Sequence, residues 1–325
     1  MTKKTWDRVP FPRVVRIEPS SACNLSCSHC PTGTVDMARG LMKRPTFERV
    51  LEALERQRGH VDIVVLYHGG EPLLNKRFPK MLAAIKAAGV PFVKTVSNGM
   101  LMTSKRIPEL LESGLDAIEF SLDGGQLSEN DFVRRQSDGA TVIRHIRALI
   151  DAKRAAGSEL PAIAISQTRF LDPSRSDPRV MPQVASYLRQ AFSGPYDGEI
   201  EFKTTWAMRW PHMKVDPKIY DIHTDTSGPK DEEDLNLCDH VENTITIASD
   251  GAVLACCYDL THCLVMGKVD ETELEAIWNG SSYQELRRSI ADKDYLSICR
   301  RCNTVRRPQK YLVMKPGVIP VAVAS

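Results

Sequence analysis

Three cysteines in the spacing C-x3-C-x2-C, Cys23-Asn24-Leu25-Ser26-Cys27-Ser28-His29-Cys30, constrain this chain more than any other stretch. A short apolar run, Val14-Val15-Arg16-Ile17, precedes them. Three thiolates on one tight loop can ligate three irons of a [4Fe–4S] cube, leaving the fourth iron open to a small molecule. A structural cluster normally takes four cysteines, so three at this spacing point to chemistry at the open iron. The other reading is a zinc site in which His29 makes up the ligand number. Zinc sites are usually built from paired C-x2-C units, and this loop is not one.

A chain of 325 residues allows one large domain and a small one. Hydrophobic residues make up 42% and charged residues 26%, ordinary for a globular protein. A net charge of +2 gives no electrostatic case for nucleic acid or a membrane surface. The start, Met1 to Arg8, has no apolar core and does not read as a signal peptide. No apolar run is long enough to span a bilayer, the tail Val318 to Ala324 included. A cytoplasmic protein is expected. Nine cysteines in a reducing compartment then argue for metal or redox chemistry over a disulfide frame.

After the cysteine loop, apolar periodicity alternates between helix and strand. It predicts helices over 46–55, 78–88, 107–113, 141–156 and 182–192, and strands over 62–67, 91–97, 115–121, 161–167 and 200–203. With the strand before the cysteines this makes six β-α units, the alternation of a parallel sheet with outer helices. Six are too few for an eight-unit barrel. The predicted fold class is therefore α/β: an open, partial (β/α)6 TIM-like barrel over residues 1–203, with ligands at the carboxyl ends of its strands. Residues 204–237 contain three prolines and no clear period. They read as a linker, a lid over the barrel mouth, or an ordered loop carrying Trp206, Trp210, His212 and His223. The small C-terminal domain, 238–325, holds a β-hairpin around Ser249-Asp250-Gly251 and short helices over 273–278 and 283–290.

Gly69-Gly70-Glu71-Pro72 follows the second strand. Its glycines allow close backbone approach to a ligand, and Glu71 can meet an ammonium; a tight turn is the plainer reading. Ser97-Asn98-Gly99 ends the third strand, Ser121-Leu122-Asp123-Gly124 the fourth, and Gln167 the fifth. Small polar residues at strand ends can bind a ribose or carboxylate, or serve only as turns and caps.

The cysteine spacing, the GGEP segment one β-α unit later and the β-α succession together resemble the radical S-adenosylmethionine (SAM) superfamily over Ile17 to Gln167. The resemblance implies that Cys23, Cys27 and Cys30 hold a SAM-binding [4Fe–4S] cluster. It further implies that Gly69, Gly70, Glu71 and Pro72 meet the SAM amino group, and that Ser97, Asn98, Ser121 and Gln167 are further SAM contacts. His29 stands where the family usually has an aromatic residue. Cys238, Cys256, Cys299 and Cys302 resemble the auxiliary-cluster domain that follows many such barrels, called SPASM or, when shortened, Twitch. No cysteine follows Cys302, which implies one auxiliary [4Fe–4S] cluster with four cysteine ligands. A structural zinc would suit the same thiolates. Cys257 and Cys263 are left over. A thiol beside a substrate radical can donate a hydrogen atom, so Cys257 is the candidate catalytic residue; a buried small hydrophobe is the plain alternative.

The resemblance implies SAM and two clusters as cofactors, a one-electron reductant such as flavodoxin or ferredoxin, and hydrogen abstraction from an unreactive C–H bond. The arm before the cysteine loop is too short for a separate peptide-recognition domain. A compact barrel with a shortened auxiliary domain is similar to radical SAM dehydrogenases and epimerases of sugars and aminocyclitols in antibiotic pathways. The expected substrate is such a small molecule, oxidised or epimerised at a carbinol carbon. A peptide-modifying enzyme and a non-catalytic iron–sulfur or zinc protein are the alternatives.

Overall fold

In the computed structural model, which describes residues 8–229 and 233–319, the first long helix covers Arg44–Arg56 and buries Phe47, Val50, Ala53 and Leu54 along one stripe. Pro45 sits in its first turn, where a missing N–H costs nothing. The next helices are Phe78–Ala87 and Ile107–Glu112. Helix Gly139–Ala155 is capped by Asp138, which accepts from the Thr141 N–H at 3.0 Å, and it ends in Lys153 and Arg154, the charge its carbonyl end favours.

Between these helices run six parallel strands: β1 (Val14–Ile17), β2 (Ile63–Val65), β3 (Phe92–Ser97), β4 (Ala117–Ser121), β5 (Ala162–Arg169) and β6 (Ile200–Trp206). Strands β5 and β6 run past the predicted ends at 167 and 203. The helix expected over 182–192 is only Ser186–Ala191. Arg169 holds the Gln183 carbonyl at 2.9 Å and Gln167 holds the Ala185 N–H at 2.9 Å, so the chain up to residue 185 is pinned before the helix begins.

The C-terminal piece attaches edge to edge. Strands β8 (Thr244–Ile247), β9 (Ala252–Leu254) and β10 (Val265–Lys268) continue the same sheet, giving nine strands in the order β10-β9-β8-β1-β2-β3-β4-β5-β6. Strand β8 lies parallel to β1, in register from Val14↔Thr244 to Ile17↔Ile247. The expected hairpin is present, turning at Gly251 with φ +86°, a left-handed value that favours glycine. One buried core runs from Phe11 to Val305 through both parts. Within the 204–237 stretch, β7 (Tyr220–Thr224) pairs antiparallel with β11 (Lys310–Met314), so the chain end returns to this segment.

Strand alternation aims the site. In β4, Ile118 and Phe120 are buried, while Glu119 and Ser121 line a cavity inside the sheet. In β5, Ile163, Ile165 and Gln167 are buried away from it, while Ser166 and Thr168 line it. Among the described residues no helix is long and apolar enough to cross a membrane. Residues 1–7 of the amino-terminal arm and 320–325 of the apolar tail lie outside the described residues.

Candidate active site

Cys23, Cys27 and Cys30 are free thiols on the wall of one cavity of about 450 Å³. Their loop is strapped down by backbone bonds. The Ser26 N–H donates to the Arg135 carbonyl at 3.2 Å and the Ser28 N–H to the Val133 carbonyl at 2.9 Å. The hydroxyls of Ser28 and Tyr220 share a 2.7 Å hydrogen bond. Residues 133–135 follow a helix, Leu127–Val133, that the periodicity does not predict.

Burial pushes the Cys27 thiol up to about 12, with the Arg134 charge opposing. A buried thiol of this kind gives up its proton when a metal replaces it. The Leu25 N–H points at Cys23 Sγ at 3.4 Å, and the Asn98 amide at 3.8 Å, donors suited to a thiolate. The donor set therefore fits a cluster. Among the described residues no three His, Cys, Asp or Glu side chains are gathered tightly enough for one metal ion. Thiolates that each take a corner of a cube need not be.

Behind the loop sits a charge network the sequence reading missed. Asp123 is fully buried and receives Arg134 Nη1 at 2.7 Å, and His29 Nε2 lies 3.1 Å from the same oxygen. Its other oxygen accepts from the Thr168 N–H at 2.9 Å. Burial alone would raise the Asp123 pKa; the Arg134 charge and the His29 bond outweigh it and hold the carboxylate well below its usual range. His29 also meets the edge of Phe170, which stacks on Tyr220. The residue that departs from the family pattern is thus a polar partner of Asp123.

Gly70 shows why the GGEP segment needs glycine. A Cβ there would lie 2.3 Å from the Ser20 carbonyl and 2.4 Å from that of Ala22. Glu71 is buried on the cavity wall and accepts from Leu73 N at 3.1 Å, Ser97 Oγ at 2.9 Å and Asn98 N at 2.8 Å. Burial pushes its pKa up, and these three bonds oppose it. Gly69, Gly70, Ser97, Asn98 and Ser121 line the same cavity.

Two candidates do not. Pro72 is buried in the single turn Pro72–Leu74 and is not on the cavity wall. Gln167 faces away: its amide donates to the Gly124 carbonyl at 2.7 Å and accepts from Ala185 N at 2.9 Å. Because β5 continues to Arg169, its neighbours Ser166 and Thr168 face the cavity and Gln167 locks two loops. No SAM contact is retained for either residue.

Cys257 lines the cavity, with Arg16, Tyr67 and His240. Burial pushes its thiol up and Arg16 opposes. Cys263 is exposed and is not on that wall. Trp206 and Trp210 line the cavity from the segment read as a linker or lid, whereas His212 and His223 are not on the wall.

Cys238, Cys256, Cys299 and Cys302 are all buried and electrostatically coupled to one another, so the topology brings the four together from distant parts of the chain. Cys299 opens and Cys302 closes a single turn. Tyr258, two residues after Cys256, lines the cavity with its ring centroid 4.9 Å from that of Trp210.

The family model of the radical SAM superfamily matches residues 17–159, and that of an iron–sulfur cluster-binding domain, SPASM, matches residues 238–303. The chain thus carries a radical SAM domain and a SPASM auxiliary domain, and its cofactors are SAM and two [4Fe–4S] clusters. It is 23% identical over 328 aligned positions to the tungsten-containing aldehyde ferredoxin oxidoreductase cofactor-modifying protein of Pyrococcus furiosus, covering 88% of this chain and 86% of that one. In fold it is similar to BtrN in complex with AdoMet and 2-DOIA, with a TM-score of 0.55 and 16% identity over 91% of this chain and 94% of BtrN. It is also similar to anSMEcpe with bound AdoMet, with a TM-score of 0.62 and 13% identity over 91% of each chain.

Proposed function

We propose that the protein removes a hydrogen atom from a carbinol carbon of a small sugar- or aminocyclitol-like molecule and returns one to the opposite face, an epimerisation. One observation carries this reading: the cysteine loop, Glu71, the hydroxyl residues Ser121, Ser166 and Thr168, and the spare thiol of Cys257 all border one cavity. When bound, the cluster and SAM supply a radical able to take hydrogen from an unreactive C–H bond.

The chain's own residues do the rest. Cys23, Cys27 and Cys30 hold the cluster. Glu71, fixed by its three donors, receives the SAM ammonium, with Gly69, Gly70, Ser97, Asn98 and Ser121 beside it. The hydroxyl-bearing strand ends orient substrate hydroxyls, and Trp206 and Trp210 keep water out. Cys257 gives its S–H hydrogen to the substrate radical. The sulfur radical left behind is restored by one electron, from a reductant such as flavodoxin or ferredoxin, and one proton. This chemistry suits the reducing cytoplasm, and neither nucleic acid nor a membrane takes part. Residues 1–203 act as the SAM barrel, 204–237 as its cover and 238–325 as the auxiliary domain.

A second reading, oxidation to the ketone, is favoured by His240 and Tyr258, which line the cavity with their rings 5.3 Å apart and are each two residues from an auxiliary cysteine in the chain. It needs a base and an electron acceptor there. The experiment that separates the two is turnover in D2O. Wild type should place one solvent deuterium on the inverted carbon. Cys257→Ala should still form 5′-deoxyadenosine carrying substrate hydrogen, yet release no epimer. Normal epimer formation by the variant would remove Cys257 from this role, and a ketone product would establish oxidation.

A further inference from the structure

We propose that Arg16 is an anion-binding residue of the cavity, and that the molecule processed there carries a carboxylate or phosphate that Arg16 holds. This rests on the reading of the cavity as a substrate site.

Arg16 lies on β1, in the middle of the nine-stranded sheet, between fully buried Val15 and Ile17. Its guanidinium stands 4.9 Å above the Tyr67 ring and lines the cavity. Its one hydrogen bond, from Nη1 to the Tyr67 carbonyl, is long at 3.4 Å. The buried Nε has no partner. No carboxylate among the described residues lies within ion-pair distance of it. Arg16 as a whole is half-buried, and its guanidinium faces the cavity without a counter-ion beside it. Arg134, on the same cavity wall, is matched by Asp123 at 2.7 Å, so the fold supplies a partner where the charge is structural.

Three carboxylates of this region, Glu119, Glu18 and Glu71, have other partners. Glu119, on the cavity wall, pairs with Lys203 at 3.3 Å. Glu18 accepts from the Gly69 N–H at 2.8 Å and the Ser249 N–H at 3.0 Å. Glu71 holds three donors. Lys94, near Arg16, adds a charge of the same sign. None of these carboxylates pairs with Arg16, and the flat fork of arginine matches a carboxylate or phosphate with two parallel bonds. Because Arg16, His240 and Cys257 line the same cavity, the anion would anchor its molecule in the chamber that holds the spare thiol. An acidic or phosphorylated sugar fits this wall, which narrows the proposed sugar- or aminocyclitol-like class to its anionic members.

The test uses the reconstituted, SAM-loaded and unreduced holoenzyme, titrated by calorimetry with glucose 6-phosphate, glucuronate, glucose and glucosamine. At least one of the two anionic probes should bind about tenfold or more tighter than glucose, with glucosamine weakest. The phosphate and carboxylate arms distinguish the two sources. Arg16→Gln should abolish the preference and leave SAM affinity within about twofold. Arg16→Lys, which keeps the charge and loses the fork, should weaken the preferred anion and leave glucose unchanged, and it serves if the glutamine variant does not fold. The proposal is overturned if neither anion binds, if glucose or glucosamine binds as well, if the preference survives in the variants, or if Arg16→Gln loses SAM instead, which would make the SAM carboxylate its partner. Binding is read without turnover, so a failure of hydrogen abstraction would sink the proposed reaction and leave this result standing.

Discussion

Replacing Cys27 by alanine should cut 5′-deoxyadenosine formation by much more than about 100-fold, the upper range for losing even an outer-shell partner of a metal site. Cys27 is the buried member of the three-thiol loop, and its neighbours on both sides are tied to residues 133–135. A cube held by the two remaining thiolates has lost a corner. The secondary structure should not change, because the backbone bonds of Ser26 and Ser28 do not involve the thiol. Retained SAM cleavage by a folded Cys27→Ala protein would remove the loop from its assigned role.

Arg134→Met should be the most destabilising substitution around the site, lowering stability by about 3 to 5 kcal/mol because it strands a buried carboxylate. Asp123 would keep His29 and the Thr168 N–H but lose the cation that holds its charge. The depressed Asp123 pKa fixes the sign of the pH dependence. The stabilisation from Arg134 is fully present above the ordinary aspartate pKa near about 4 and is lost as pH falls through the lower folded value. The gap between wild type and variant in anaerobic urea unfolding should therefore be widest at neutral pH and close in acid. Equal midpoints at neutral pH would mean that His29 and the backbone suffice for Asp123.

Local motifs were legible and long-range pairings were not. The cysteine loop and GGEP are each contiguous, so the resemblance that groups them was readable, and the structure sets both on one cavity. The β-α succession is likewise visible in short windows. The junction of β8 with β1 is not, because nothing in Thr244 to Ile247 says which strand it will lie against. Ribbon β7–β11 joins two short segments far apart in the chain and escapes for the same reason. Gln167 shows how small an error matters: strand β5 runs two residues beyond the predicted end, and the alternation hands the cavity to Ser166 and Thr168. Asp123 was visible only as part of a turn, since its partners His29 and Arg134 come from other segments. Arg16 was hidden inside an apolar run, where a single charge gives no sign of which way it points.

The most direct test of the two-cluster assignment is iron and sulfide content with EPR spectra, on the anaerobically reconstituted wild type, on a Cys23/Cys27/Cys30→Ala triple variant and on Cys299→Ala. Wild type should hold about eight irons per chain, and each variant about four, with distinct residual spectra. About four irons in wild type, falling to none in the triple variant and unchanged in Cys299→Ala, with zinc in the remaining site, would contradict it.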